Sequence, residues 1–462
     1  MEKKLLLGDE AIALGALHAG LSGVYAYPGT PSTEITEFIQ GNALAKERGV
    51  HSRWSTNEKT AMEAALGMSF MGKRALVCMK HVGLNVCADP FVNSGMTGVN
   101  GGVVVLVADD PSMHSSQDEQ DSRFYGKFAM IPVFEPSNQQ EAYDMMEAAF
   151  EYSEQQCLPV LMRVTTRMAH SRAVVTVKDE PRKENALNYN AIASNWVLLP
   201  AIARRQYTSL IEKQADMRAE SETSAFNKPD SKQAKLGIIA CGIGYNYVVE
   251  ANPADAAILK VSHYPLPAKQ VSQLAENCES ILVVEDGQPV VEQDVKALLG
   301  KNYCVKGRLT GDLPRTGELT PESVAAALGI ATTTAYSPAK NIAARPPQLC
   351  PGCGHRDVYT ALNNVATEYA NARIFGDIGC YTLGALPPFQ SIASCVDMGA
   401  SITMAKGAAD AGLHPAIAVI GDSTFTHSGM TGLLDAVNDH SPITVIISDN
   451  LTTAMTGGQD SA

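Results

Sequence analysis

Short apolar runs recur along the first part of the chain: VYAYP at 24–28, ALVCM at 75–79, GGVVVLVAD at 101–109 and PVLMRV at 159–164, with helical stretches between them. Runs that are apolar on both faces suit a parallel sheet covered by helices on each side, so residues 1–180 are expected to form one doubly wound α/β domain. From 181 to 235 the pattern turns polar and irregular, with the charged segment EKQADMRAESETSAFNKPDSKQ, and reads as a linker with helical pieces. A second set, LGIIACG, AILKVS and SILVVED, predicts a middle α/β domain over 236–335. After the connector AYSPAKNIAARPPQ, the runs ARIFGDIG, PAIAVIGDS and ITVIISDN predict a further domain over 345–462. Only about a dozen residues follow its last strand, so this domain is expected to be incomplete at its C-terminus.

The opening MEKKLLLGDEAIALGALHAG carries a short apolar run that soon meets Asp9 and Glu10, which predicts a first strand and helix rather than a leader. No run of about 18 uninterrupted apolar residues occurs, so no membrane span is expected. Composition adds little to this picture. The 462 residues exceed one hydrophobic core, and 18% charged with 6% aromatic residues is ordinary for an α/β enzyme. A net charge of −13 and a pI near 5.3 argue against a nucleic-acid surface. An anionic ligand would need local help from helix N-termini, glycine turns or a bound cation. The ten cysteines are scattered, which fits reduced thiols in a cytoplasmic protein. Cys78, Cys157, Cys241, Cys278 and Cys304 sit in or beside apolar runs and are expected in the core.

Chemistry enters with GDSTFTHSGMTGLLDAVNDHSPITVIISDN at 421–450. Ligands of open α/β sheets gather at the carboxyl ends of strands, where Asp422 and Asn450 both stand. On neighbouring strands they would aim a carboxylate and an amide oxygen into one crevice, a donor set that suits Mg²⁺ shared with a phosphate. Gly421 is expected to allow a tight turn and Ser423 to cap the following helix. Taken singly, each motif is also what a plain turn or cap looks like. Together, Gly-Asp-Ser followed after 26 residues by Asn450 resembles the diphosphate motif of thiamine-diphosphate enzymes. That resemblance makes Asp422 and Asn450 side-chain Mg²⁺ ligands, the Thr452 carbonyl a third, and Gly421, Asp422, Ser423 and Asn450 cofactor-binding.

Such enzymes also need a shielded carboxylate against the aminopyrimidine ring. In WSTNEKTAMEAALGMSFMGKRALV, Glu58 opens a small-residue helix, with Ala64, Ala65 and Gly67 expected to allow close packing. Glu58 is therefore the candidate catalytic carboxylate. Glu63 is the competitor, on another face of the same helix. The segments YAYPGTPSTEI, DDPSMHSSQDEQDSRFYGKF, LCPGCGHRDVY and GDIGCYTLGALPP are similar to the α subunit of indolepyruvate ferredoxin oxidoreductases, in the 2-oxoacid:ferredoxin oxidoreductase superfamily. The likeness runs through all three predicted units in the same order.

The resemblance implies a multidomain α/β fold with doubly wound parallel sheets of the thiamine-diphosphate-binding fold. Residues 1–180 would be the pyrimidine-binding type, 236–335 a transketolase C-terminal-like middle domain, and 345–462 the diphosphate-binding domain. It implies oxidative decarboxylation of aryl pyruvates from amino-acid transamination, through a thiamine diphosphate ylide, to an aryl-acetyl-CoA, CO₂ and reduced ferredoxin. Thr30 matches a position near the substrate carboxylate, and Cys380 lies beside the cofactor. Cys350, Cys353 and Cys380 match positions that hold a [4Fe–4S] cluster in two-subunit relatives, together with a fourth cysteine further on. Cys395 is a substitute that the spacing does not single out, and a structural loop is the alternative reading of all three. A separate β subunit, CoA and ferredoxin are the implied partners. The family's iron–sulfur tail has no counterpart in the sequence, which implies a C-terminally truncated chain. A non-oxidative thiamine-diphosphate decarboxylase would share Glu58 and Asp422, and a non-catalytic scaffold subunit is the other alternative. Gly242-Ile243-Gly244 is a weak nucleotide motif lacking its third glycine, and His81, His114, His355 and His427 read as ordinary surface or satisfied histidines.

Overall fold

The structure is a computed structural model that describes residues 2–331, 339, 341–343 and 346–460. The connector beginning at Ala335 lies partly outside them. The chain divides into two compact units, residues 1–334 and 335–462.

The first unit contains strands β1 (Glu2–Leu7), β2 (Gly23–Ala26), β3 (His51–Trp54), β4 (Ala75–Lys80), β5 (Val103–Asp109), β6 (Val133–Phe134), β7 (Val160–Thr165), β8 (Arg172–Val177), β9 (Ala234–Cys241), β10 (Ala256–Val261), β11 (His263–Tyr264), β12 (Cys278–Val284) and β13 (Cys304–Lys306). The main sheet runs β11-β6-β7-β5-β4-β2-β3, parallel except for β11 at its edge. Every residue of β4, β5 and β7 is buried, the outcome that their unbroken apolar runs predict for strands covered on both faces. A parallel sheet β10-β9-β12-β13 follows, and β1 pairs with β8 as an antiparallel ribbon. Within 181–235 one α-helix, Pro200–Thr223, packs Leu210 and Met217 against Leu158, Met96 and Met130. Those two apolar residues, seven apart, dock an otherwise charged helix.

The second unit contains β14 (Arg373–Phe375), β15 (Ala416–Gly421) and β16 (Ile443–Ser448) in a parallel sheet of that order. Among the described residues no helix is long and apolar enough to cross a membrane.

A buried ion network joins the two sheets of the first unit where their strands end. Arg163 on β7 donates from Nε to Asp109 at 2.6 Å, from Nη1 to Glu135, and from Nη2 to the Asp286 carbonyl beyond β12 at 2.8 Å. Arg123 meets Asp121 at 2.6 Å and Glu285 at 3.0 Å, and Arg308 meets Asp286 at 3.3 Å. Burial opposes the charge on Asp121, yet Arg123 and Arg163 pull its carboxyl down to about 2. Burial instead pushes Glu285 up to about 7 and Asp286 up to about 6. Gly242 sits at φ +48°, and a Cβ there would lie 2.6 Å from a Glu135 carboxylate oxygen. The glycine-rich turn considered for a nucleotide is thus filled by the protein's own carboxylate.

Two expectations for the cysteines fail. Cys157 is exposed because it ends the helix Gln139–Gln156 in a left-handed conformation, and Cys304 is exposed on the edge strand β13. Cys78 and Cys241 are buried, and Cys278 is intermediate.

Replacing Arg163 by Leu removes the counter-charge of Asp109 and one of the two guanidinium groups that face Asp121 and Glu135, and is expected to cost about 3–5 kcal/mol at pH 8. Orphaned carboxyls acquire folded-state pKa values above their unfolded ones, so the folded variant binds more protons as pH falls. The deficit should therefore shrink at pH 5.5. Urea unfolding of both proteins at the two pH values checks this, and an equal deficit at both would assign the cost to packing.

Candidate functional site

In the main sheet the chain leaves β2 toward β3 on one side and leaves β4 toward β5 on the other. The carboxyl ends of β2 and β4 thus flank the switch point at which open sheets bind ligands. Three predicted or neighbouring groups meet there. The Gly29-Thr30 turn follows β2 and packs on β4, where a Cβ on Gly29 would lie 3.1 Å from the Cβ of Lys80. Thr30 itself is partly exposed. Glu58 follows β3 as the first residue of the helix Glu58–Phe70, whose start is fixed by the Asn57 side chain accepting from the Thr60 amide at 2.9 Å. Its side chain is buried, 5% exposed.

A helix that follows β4, His81–Val86, presents Gly83 to this carboxylate, and a Cβ on Gly83 would stand 2.5 Å from Glu58 Oε1. Glycine is therefore required where the backbone closes over Glu58. The sequence assigned close packing to other positions. Gly67 and Ala64 are exposed and nothing approaches Gly67, so only Ala65 of that set is buried. Glu63 lies on the outer face and pairs with Lys59.

Lys80 is also buried here, and its Nζ donates to the Ser115 carbonyl at 2.6 Å and to Ser115 Oγ at 3.3 Å. Burial lowers this ammonium to about 8, against the pull of Asp110 and Asp118. The DDPSMHSS loop folds over the end of β5 because Asp110 accepts from the Ser115 amide and the Ser116 hydroxyl. His81 is buried rather than on the surface, with Nε2 at 3.4 Å from Asp118.

The second unit builds a different half-site at the ends of β14, β15 and β16. Register pairs Gly421 with Ser448, so Asp422 and Asn450 leave adjacent strands together. The inward terminal atom of the Asn450 amide lies 3.1 Å from Asp422 Oδ1 and 2.8 Å from the Thr452 carbonyl. With the amide nitrogen turned inward it donates to both oxygens. With the amide oxygen inward, it accepts from the Thr452 amide at 3.3 Å and three oxygens converge. Neighbouring ligands of an octahedral Mg²⁺ with bonds of about 2.1 Å stand about 3.0 Å apart, so this oxygen set fits such an ion. The loop is held closed by Thr453 and Gln459, whose backbones bond at 2.9 Å, and by Thr452 Oγ1 donating to the Gln459 carbonyl at 3.0 Å.

Two expected roles change. Gly421 has φ −79° and ψ 162°, extended backbone that any residue adopts, so no tight turn explains it. The reason is the Tyr381 ring, 2.6 Å from where a Gly421 Cβ would be and 2.3 Å from where a Gly379 Cβ would be. Ser423 does not cap the helix. It lies inside the short helix Asp422–Thr424, and its hydroxyl bonds Thr453 Oγ1 at 2.9 Å, tying the β15 loop to the β16 loop. Beyond it the backbone widens into a π-turn at Phe425–Gly429 before the helix Met430–Asn438, a local form frequent at functional sites.

Sequence reasoning missed the support of this loop. Asp377, after β14, is wholly buried, accepts from the Ser401 amide at 3.1 Å and hydroxyl at 2.6 Å, and bonds the Tyr381 hydroxyl. Burial pushes its carboxyl up. Thr424 donates to the Ile378 carbonyl at 2.9 Å, so the GDIG and GDS loops are interlaced. His355 is buried, with Nδ1 2.7 Å from Ser448 Oγ, and burial lowers its pKa against the pull of Asp422. His427 is buried too, while His114 is half exposed. The repeated Gly-Asp at two adjacent strand ends was the available signal for Asp377.

Cys380 is partly buried, and its thiol is pushed up by burial and then by Cys353 and Cys350. Among the described residues the sulfurs of Cys350, Cys353 and Cys380 do not converge as the ligands of one ion would.

Residues 14–227 match the family described as pyruvate flavodoxin/ferredoxin oxidoreductase, thiamine diP-binding. Residues 377–462 match thiamine pyrophosphate enzyme, C-terminal TPP binding domain. A solved 2-oxoglutarate:ferredoxin oxidoreductase from Magnetococcus marinus, with 2-oxoglutarate, coenzyme A and succinyl-CoA bound, shares the fold at a TM-score of 0.57 and 16% identity, over 71% of this chain and 65% of that one. The class is thus a 2-oxoacid oxidoreductase with thiamine-diphosphate-binding domains. Over 99% of its length the chain is 40% identical to the indolepyruvate oxidoreductase subunit IorA of Archaeoglobus fulgidus and 41% identical to that of Pyrococcus horikoshii, covering 76% of each. It belongs to the IorA family.

An alanine at 421 would press its Cβ on a ring fixed by Asp377, and Gly421→Ala is expected to destabilise the second unit by about 1–3 kcal/mol. Shrinking the ring with Tyr381→Leu should make the double variant less unstable than the two single effects summed, by at least about 0.5 kcal/mol. Thermal unfolding of the four proteins measures this, and strict additivity would show that the ring is not what excludes a side chain.

Proposed function

We propose that this chain carries out oxidative decarboxylation of aryl 2-oxoacids of the indolepyruvate type, yielding an aryl-acetyl-CoA, CO₂ and reduced ferredoxin together with a β subunit. One observation carries the reading: the Asp422 carboxylate, the Asn450 amide and the Thr452 carbonyl converge at two parallel strand ends, in a chain about 40% identical to proteins named indolepyruvate oxidoreductase. Thiamine diphosphate, when bound, supplies the carbanion and the electron sink that cleavage of a 2-oxoacid carboxylate needs.

The protein's own residues hold and prime that cofactor. Asp422, the Asn450 amide oxygen and the Thr452 carbonyl would hold Mg²⁺ for the diphosphate, and Gly421 and Ser423 shape the loop that carries them. Glu58, shielded from water beneath Gly83, would be the carboxylate that holds a proton toward the aminopyrimidine ring when the cofactor is bound. The Thr30 hydroxyl offers a hydrogen bond to the substrate carboxylate at the mouth of the same crevice. Cys350, Cys353 and Cys380 would serve a [4Fe–4S] cluster, a reading that rests on the Cys350-Pro-Gly-Cys353 pair and the third cysteine at 380. Ten free cysteines fit the reducing cytoplasm. Family membership favours the oxidative reaction over aldehyde release or a scaffold role.

Calorimetry of thiamine diphosphate with and without Mg²⁺ tests the cofactor site. Asp422→Ala is expected to weaken Mg²⁺-dependent binding by about a hundredfold or more. Glu58→Gln should bind within about tenfold of the native chain yet slow exchange of the thiazolium C2 proton by about 10²–10⁴-fold. Native binding that ignores Mg²⁺, or undiminished exchange in Glu58→Gln, would remove the assignment. Anaerobic reconstitution with iron and sulfide should give a cluster absorbance that Cys380→Ala loses, and an unchanged spectrum would exclude that ligand.

A further inference from the structure

Next to the half-site of the first unit, three of its helix ends meet. Asp9 lies in the first turn of the helix Gly8–His18 and is wholly buried. Glu34 lies in the first turn of the helix Thr33–Gly41, and His170 ends the short helix Thr166–His170 that follows β7. One ligand atom of each lies within 4.8 Å of the other two, and no other His, Cys, Asp or Glu trio among the described residues does this. His170 Nε2 is 3.3 Å from Glu34 Oε1.

A second observation is independent of that grouping. Neither oxygen of Asp9, nor Oε2 of Glu34, meets a donor group of another side chain or of the backbone among the described residues; the two carboxyl groups meet each other, and burial first and then Glu34 hold the Asp9 carboxyl well above the usual carboxylate range. Buried carboxylates ordinarily collect donors or a counter-charge, because leaving water without either is costly. Here two carboxyl groups face one gap, and the basic side chain of the cluster is a single imidazole.

We propose that Asp9, Glu34 and His170 form a site for a divalent cation of the Mn²⁺ or Zn²⁺ type. Two carboxylate oxygens and one imidazole nitrogen are a ligand set that such ions accept, with the remaining positions taken by water. The side chains of Glu34 and His170 are 37% and 34% exposed, which leaves an entry path and room for those waters. Three neighbouring ligands of one ion with bonds of about 2.2 Å stand about 3.1–3.8 Å apart; the Glu34–His170 pair, at 3.3 Å, already has that spacing, and Asp9 would draw in toward it from within 4.8 Å.

The site would act on the neighbouring crevice by position. Glu34 follows the Thr30 turn directly, and that turn is already bonded to the same helix start: the Gly29 amide donates to Thr33 Oγ1 at 3.0 Å, and Ser32 Oγ donates to the Gly29 carbonyl at 2.8 Å. A cation on Glu34 would pin this helix, and with it Thr30, to the helices that carry Asp9 and His170.

The test is Mn²⁺ titration of the Asp422→Ala chain without thiamine diphosphate, followed by electron paramagnetic resonance, so that the other candidate cation site is absent. One Mn²⁺ per chain is expected, with a nitrogen hyperfine coupling from His170. Asp9→Asn keeps the shape of the buried side chain, and His170→Ala alters a half-exposed one. Each is expected to weaken binding at least tenfold, and the second also to remove the nitrogen coupling. No bound Mn²⁺, or binding that survives both substitutions, overturns the site and leaves Asp9 and Glu34 as a carboxyl pair sharing one proton.

Discussion

Parallel strands buried on both faces leave a sheet only its ends for chemistry. In β4, β5 and β7 no residue reaches solvent, so the polar groups that the chain must place near a ligand appear in the first few positions after each strand. The same constraint shapes both units. Thr30, Glu58 and Lys80 gather beside β2 and β4, and Asp377, Asp422 and Asn450 beside β14, β15 and β16. Each half-site follows from where helices and turns are obliged to begin.

The ends of the first unit's two sheets are charged, and their charge is nearly all internal. Arg123, Arg163 and Arg308 are surrounded by Asp109, Asp121, Glu135, Glu285 and Asp286, all buried. Carboxylates outnumber guanidinium groups, and burial pushes the Glu285 and Asp286 carboxyls upward. A network of this kind adds orientation more than stability, because long-range ion pairs in low dielectric tolerate only one arrangement of the strands that carry them.

Much of this was legible in the chain. Apolar runs of period one announced the buried strands, the meeting of Asp422 and Asn450 at adjacent strand ends was legible in the 26 residues between GDS and Asn450, and Glu58 stood out as a carboxylate opening a small-residue helix. What could not be read depends on contacts between distant positions. Nothing local says that Gly83 lies over Glu58, or that Gly421 is glycine because of a tyrosine forty residues earlier. Asp377 and Asp422 share the same Gly-Asp context at adjacent strand ends, yet one is sealed beneath Ser401 and Tyr381 while the other faces the crevice. Burial separates them, and burial is a property of the packed unit. Cys157 shows the reverse case: its apolar neighbours suggested a core position, but a left-handed helix end turns it outward.

Tyr381 touches the places where side chains on both Gly379 and Gly421 would stand, so one ring occupies space denied to two loops. A change at any one of the three positions is consequently felt at the other two. A lineage that enlarges either glycine must first give up the aromatic ring, and one that gives up the ring opens a void under the loop that carries Asp422. Drift at this site would have to pass through paired replacements, which makes the tyrosine and its two glycines a single heritable character rather than three.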